Sequence, residues 1–304
     1  MSEQLLRRIA LVGFGEAGSI LGADWAAAGR EVVTYDVLLN EPAARASLLE
    51  KIAQARVASA DSLGAAAKDA DLIVSAVTAS SSAQVAASAG QVLHAGQVFL
   101  DINSCSPDTK SANAAAVESS GADYVEAAVM APVPPQRLQV PMLLGGRRAR
   151  ELAPALQALG LNVSFIATEI GVASAVKMCR SVVIKGLEAL ALESLLAARR
   201  FGAENAVLAS LQGTFPQMGW QEKLPDYLIS RVAEHGRRRA AEMREVAHTL
   251  ESVGVEPTMA RATAVRHDAL IDAMAAQGVA YPHGQSFSWR WLADELASTS
   301  GKGK

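Results

Sequence analysis

Gly13-Phe14-Gly15-Glu16-Ala17-Gly18 lies directly between an apolar run, Ile9–Val12, and an alanine-rich stretch of helical spacing, Ala17–Ala28. That placement constrains the fold more than any other feature of the chain. In a G-x-G-x-x-G turn the first glycine permits the sharp bend and the second lets backbone approach a pyrophosphate. The third allows close strand–helix packing. The helix that opens there offers amide N–H groups and the positive end of its dipole to an anion. Glycines also serve ordinary tight turns, so the pattern needs its context. Here an acid, Asp36, follows the next apolar run, Glu31–Tyr35, 23 residues after Gly13. The combination predicts a dinucleotide-binding βαβ unit in which Gly13, Phe14, Gly15, Glu16, Ala17 and Gly18 cradle the cofactor. Asp36 is expected to accept hydrogen bonds from the adenosine ribose and to repel a 2′-phosphate. Val37 and Leu38 supply no arginine for that phosphate, so NAD is expected and NADP is less favoured.

Further strands are expected at Arg56–Ala58, Leu72–Val77 and Val98–Asp101, with helical stretches at Asp61–Asp69 and Ser82–Leu93. Alternation at this pitch means right-handed βαβ crossovers and a parallel sheet. Runs at Tyr124–Val129, Met142–Leu144 and Val163–Ile166 can extend that sheet, and Ser106-Pro107 reads as an N-cap with proline opening a helix to about Ser119. From Glu169 to Phe201 the pattern is helical only, a span of about 50 Å at ~1.5 Å per residue. Helical segments follow at Ala203–Gly213, Pro225–Val253 (with a possible break), Met259–Gln277 and around Phe287–Leu296. The expected architecture is an α/β Rossmann-type domain with a mostly parallel sheet over 1–166, then an all-α domain over 167–304. The closing STSGKGK reads as a frayed tail.

A net charge of −3 gives no general reason to bind nucleic acid or an anionic membrane. The arginine runs Arg147-Arg148 and Arg237-Arg238-Arg239 read first as solvated helix surface. Two cysteines, Cys105 and Cys179, without metal spacing argue against a disulfide framework or zinc site and fit a reducing cytoplasm. No stretch approaches the roughly 20 apolar residues of a membrane helix. The five histidines lack metal spacing, and only His235 and His283 stand out as worth testing.

Two more strand ends face the expected cofactor crevice: Val77-Thr78, and Asn103-Ser104 after Asp101. Local turn chemistry is the plain reading of both. GFGEAG at 13–18, D-I-N-S-C-S-P at 101–107 and G-V-A-S-A-V-K-M-C at 171–179 together resemble the β-hydroxyacid dehydrogenases. That family includes 3-hydroxyisobutyrate and 6-phosphogluconate dehydrogenases. The likeness runs the length of the chain, and K-M-C-R-S-V-V-I-K-G with H-G-R-R-R-A-A-E-M resembles a less characterised phosphogluconate-dehydrogenase-like branch. The resemblance implies an active site between the two domains, a homodimer built through the helical domains, and a hydroxy acid as small-molecule substrate. It places Lys177 on the family's catalytic lysine, with Asn103 and Ser104 positioning substrate and nicotinamide. A desolvated lysine suits proton exchange, because burial disfavours its ammonium.

The departures from the family pattern are as informative. Four residues after the lysine stands Ser181 in place of asparagine, and seven after it Ile184 replaces the glutamate of decarboxylating members. Lys185 shares the helical face and is a candidate for a substrate carboxylate or phosphate. The family's substrate loop reads Ser-Gly-Gly after a strand ending in an acidic residue and small apolar residues. Here the segment is Glu126-Ala127-Ala128-Val129-Met130-Ala131-Pro132, which puts Met130 at the substrate and suggests a different or bulkier one. The late Lys-Asp pair is replaced by Ala241-Glu242, leaving Arg238 to supply charge. Two rivals stay open: an imine reductase, against which the retained lysine weighs, and a non-catalytic NAD(H)-binding protein. The aromatic run Phe287–Trp291 reads as core or subunit contact.

Overall fold

The computed structural model describes residues 6–298, so the expected frayed tail lies largely outside the described residues. The first half alternates β1 (Arg8–Val12), α1 (Glu16–Ala27), β2 (Glu31–Tyr35), α2 (Pro42–Gln54), β3 (Ala58–Ser59), α3 (Leu63–Ala67), β4 (Leu72–Ser75) and α4 (Ala79–Val92). It continues with β5 (Val98–Asp101), α5 (Pro107–Glu118), β6 (Asp123–Val129), α6 (Val133–Gln136), β7 (Met142–Gly145), α7 (Ala149–Ala158) and β8 (Val163–Ala167). The eight strands form one sheet in the order β3-β2-β1-β4-β5-β6-β7-β8, parallel throughout except at β6–β7.

Strands β1, β4 and β5 are apolar apart from one terminal position each, Arg8 at the start of β1 and Ser75 and Asp101 at the ends of β4 and β5, because both faces are covered. Ile9, Leu11, Leu72, Val74, Val98 and Leu100 point into one core, while Ala10, Val12, Ile73 and Phe99 point into the other. Among the helices that cover these faces, α5 has a side-chain cap. Ser106 caps α5 by accepting the Thr109 N–H at 3.3 Å, and Pro107 opens the helix, as expected. The expected strand at Arg56–Ala58 shifts to Ala58–Ser59. Arg56 instead takes a left-handed conformation (φ 56°) that ends α2 and cannot continue a ladder.

One compact unit ends at Lys177 and a second begins at Met178. The second is helical: α8 (Val172–Arg200) runs into it, followed by α9 (Glu204–Thr214), α10 (Leu224–Ser252), α11 (Thr258–Ala276) and α12 (Trp289–Ser298). Its core gathers Leu192, Leu195, Leu228, Ile229, Val232, Leu270 and Leu292 around Trp289, so the aromatic run at 287–291 is partly core. The expected break in α10 falls at His235, whose φ of −130° is non-helical. Among the described residues no helix is long and apolar enough to cross a membrane.

Candidate active site

Strand order reverses at β1, which pairs with β2 on one side and β4 on the other. Loops leaving the carboxyl ends of β1 and β4 therefore diverge, and the crevice between them is where this architecture binds nucleotides. Gly13 turns there with φ +94°, and a Cβ on it would lie 2.6 Å from the Ala76 carbonyl oxygen. A Cβ on Gly18 would lie 2.1 Å from the Gly13 carbonyl oxygen, so helix α1 can approach its strand only without one. Gly15 differs: a Cβ there would meet nothing within 4 Å, and Gly15 supplies no side-chain cap to α1. Open space in front of an uncapped helix N-terminus is what a pyrophosphate needs, so these residues fit a dinucleotide. Glu16 is exposed and Ala17 half-buried in the first turn of that helix.

The Phe14 ring is buried in the core, and its N–H donates to Asp36 Oδ2 at 2.7 Å. Asp36 Oδ1 also accepts the Leu38 N–H at 3.0 Å. The half-buried carboxylate thus ties the glycine turn to the end of β2. Lys51 of α2, which sequence reasoning missed, caps the same turn from outside. Its Nζ donates to the carbonyls of Phe14 and Gly15, each at 3.0 Å.

Beyond β4 and β5 a buried polar network fixes the facing loops. Asn103 Oδ1 accepts the Val77 N–H at 2.7 Å, and its Nδ2 donates to the Ser75 hydroxyl at 2.9 Å and the Ser82 hydroxyl at 3.2 Å. Asn103 is therefore committed to holding the β4 turn, while Ser104 beside it is half-buried and Thr78 is exposed. The hub is Asp101, which accepts from Lys110 Nζ at 2.8 Å, the Tyr124 hydroxyl at 2.7 Å, Asn113 Nδ2 at 3.2 Å and the Asn103 N–H at 2.9 Å. Burial pushes the Asp101 carboxyl up, but Lys110 and these hydrogen bonds outweigh it and hold the group below its ordinary value. The Tyr124 hydroxyl is pushed up by burial and by Asp101.

Helix α8 begins against the same sheet. Glu126 of β6 is buried, and its Oε1 accepts the N–H groups of Gly171 at 2.8 Å and Ala173 at 3.1 Å. Its Oε2 accepts the Ser174 hydroxyl at 3.0 Å. Lys177 follows in the second turn of α8, half-buried. Met130 is half-buried with its N–H donating to the Pro141 carbonyl at 2.8 Å, so the amide at this loop position serves the chain itself.

Ser181 and Lys185 are buried in the helical unit, four and eight residues beyond Lys177. Lys185 Nζ pairs with Glu242 at 2.6 Å; burial lowers its pKa against the pull of that carboxylate. Arg238, half-exposed, lies 4.0 Å from the same carboxylate. The arginine run is thus ion-paired rather than simply solvated: Arg237 pairs with Asp268 at 2.9 Å, and Arg239 is largely buried against Glu188. Burial pushes Glu188 up, offset in part by Arg239. His267 beside them is fully buried, and burial lowers its pKa to about 4. His235 sits 3.3 Å from Glu234 at the break in α10, and the ring of His283 stands edge-on to Tyr281. Among the described residues no cluster of His, Cys, Asp or Glu is arranged to hold a metal ion.

A doubly covered sheet with a glycine turn at its switch point, followed by a long helix carrying a lysine, defines a two-part nucleotide-dependent protein. Residues 8–167, more than half of the chain, match the family described as the NAD binding domain of 6-phosphogluconate dehydrogenase. Residues 198–270 match the domain of unknown function DUF1932. A conserved hypothetical protein from Sinorhizobium meliloti is 39% identical over 98% of each chain, with a TM-score of 0.77. A conserved protein of unknown function, described as structurally similar to 3-hydroxyacid dehydrogenases, is 31% identical. That match covers 88% of this chain and 98% of the other, with a TM-score of 0.70. The 3-hydroxyisobutyrate dehydrogenase of Mycobacterium tuberculosis shares the fold at 16% identity, TM-score 0.71, over 96% of this chain and 99% of that one. The chain belongs to the β-hydroxyacid dehydrogenase family, in the branch built on the 6-phosphogluconate dehydrogenase NAD-binding domain.

Proposed function

We propose that the chain moves a hydride between NAD(H) and the hydroxyl-bearing carbon of a β-hydroxy acid or related alcohol, with Lys177 as general base and acid. The observation that carries this reading is the placement of Lys177. It stands in the second turn of α8, whose start is bonded to β6, in the same compact unit as the Gly13–Gly18 turn. Bound NAD(H) supplies the hydride acceptor or donor. Lys177 takes the hydroxyl proton in the oxidative direction and returns it in the reductive one. Ser104 orients the hydroxyl, Asn103 acts indirectly by holding the Val77 turn, and Ser181 supports the lysine one helical turn on. Ile184 in place of a glutamate supports dehydrogenation without coupled decarboxylation. NAD is preferred because Asp36, at the end of β2, would repel a 2′-phosphate, and Val37 and Leu38 beside it are exposed and uncharged.

The substrate we propose is bulkier than the smallest hydroxy acids. The Met130 amide is committed to Pro141, while Lys185 and Arg238 already share Glu242. Residues up to 166 then serve the cofactor, and 167–304 the substrate and a homodimer. Support for the dimer comes from Cys179, Val183 and Leu190, which line one stripe of α8 and are all exposed, Val183 at 69%. A cytoplasmic setting fits the two cysteines, Cys105 buried and Cys179 exposed, neither of which forms a disulfide. The test is Lys177→Ala: NADH affinity is retained and turnover falls about 10²–10⁴-fold, the usual worth of a general acid–base group. A non-catalytic NAD(H)-binding role, which the committed Met130 amide favours, predicts that the same substitution changes nothing measurable.

A further inference from the structure

Glu126 is an acid in the middle of an apolar strand, fully buried, and its contacts explain why it is there. The first turn of a helix leaves N–H groups without intrahelical partners, normally satisfied by a Ser, Thr, Asp or Asn at the N-cap. Here Gly171 precedes α8 and has no side chain, so Glu126 reaches over from β6 and accepts two of those N–H groups and the Ser174 hydroxyl. A carboxylate at this end also meets the positive end of the helix dipole. The neighbouring strand is shaped to admit it. Gly145 is the register partner of Glu126 in β7, and a Cβ on Gly145 would lie 2.4 Å from Oε1 and 2.9 Å from Cγ. Gly171 itself, at φ +101°, turns the chain into the helix where a Cβ would come within 3.2 Å of Pro107. Ile170 packs against the core that contains Tyr124. The segment from Ile170 to Ser174 is thus fastened to the sheet at four points, and Lys177 follows three residues later.

The geometry points to Glu126 as a positioning residue that fixes Lys177 relative to the nucleotide-binding sheet, with Gly145 as the space it requires. The inference rests on the proposed role of Lys177. Without the carboxylate, the first turn of α8 loses its cap and Lys177 its register. A displacement of about 1 Å at a reacting group costs about 100-fold in rate. Glu126→Gln is the conservative control, because its Oε1 still accepts from Gly171 and Ala173 and its amide can donate to the Ser174 hydroxyl.

Two readouts on the full-length protein test this. Amide hydrogen exchange over residues 171–177 reports the cap without any ligand. It should rise in Glu126→Ala and in a second variant, Gly145→Ala, whose Cβ would crowd the Glu126 side chain out of its seat, and stay near the parent level in Glu126→Gln. Acetylation of Lys177, followed by peptide mass spectrometry with and without NADH, reports its register. NADH should slow the reaction about tenfold in the parent and in Glu126→Gln. In the other two it should slow it hardly at all, although NADH affinity stays within about threefold. Unchanged exchange in both Glu126→Ala and Gly145→Ala overturns the inference, as does full NADH shielding of Lys177 in them. Altered exchange with no shielding even in the parent leaves the cap standing and instead refutes the proposed place of Lys177 at the nicotinamide.

Discussion

Replacing Lys110 with methionine isolates the network on which both cofactor-facing loops depend. The side chains keep similar length, so the change removes a charge from a site where Lys110 and Asp101 are each about 1% exposed. Removing one partner of a buried ion pair strands the other charge and costs about 3–5 kcal/mol. For a unit of this size that is a fall of about 6–20 °C in Tm. The pH dependence is the sharper signature. In the parent the Asp101 carboxyl lies below its ordinary 3.8, so its contribution is present above that pH and is lost as pH falls through the folded value. Without Lys110, burial becomes the dominant influence and raises that carboxyl, so the variant becomes less stable as pH rises from about 5 to about 8. Urea-dependent hydrogen exchange on peptides from residues 98–129 reads this unit without averaging in the helical one. Adding Asp101→Asn removes the stranded charge and should recover part of the loss. A single substitution costing under about 1 kcal/mol, or costing the same at both pH values, would refute the reasoning.

Gly15→Ala should leave stability unchanged, since a Cβ there meets nothing, yet weaken NADH binding at least about tenfold by filling the pyrophosphate's space. Gly18→Ala, which drives a Cβ into the Gly13 carbonyl, should fail first in stability; isothermal calorimetry beside thermal unfolding separates the two. Asp36→Ser combined with Val37→Arg should move preference toward NADP, read as the ratio of the two affinities, and a parent that already prefers NADP contradicts the role given to Asp36. Val183→Asp with Leu190→Asp should convert a dimer into monomers in sedimentation velocity, and an unaffected oligomer would place the interface elsewhere.

The strands of the sheet could be read from sequence because each apolar run feeds two cores at once. Ile9 and Leu11 point one way and Ala10 and Val12 the other, which leaves no polar position to confuse the pattern. Helices α2 and α7 were harder. The mixed polar and alanine sequence of α2 carries little periodicity, while α7, which buries Ala149, Leu152, Ala153 and Leu156 on one face, is short and holds Pro154 inside it. In the site, the glycine turn and Asp36 were visible because they are local in sequence. The partners of Asn103, Asp101 and Glu126 were not. Ser82 and Asn113 lie 31 residues apart, and Glu126 and Gly171 lie 45 apart, so only the folded sheet brings them together. A signal existed for two of them: Glu126 interrupts an apolar strand, and Lys110 stands on a face of α5 otherwise made of small residues. Buried charge in such places means a specific partner.

The central claim is a lysine-dependent hydride transfer, and NADH formation from NAD at alkaline pH tests it most directly. The panel should run from small polar to bulky apolar β-hydroxy acids, with Lys177→Ala alongside. The account predicts turnover with the bulkier members, lost in Lys177→Ala while NADH still binds. Tight NADH binding with no turnover on any member, or equal turnover without the lysine amine, would contradict it.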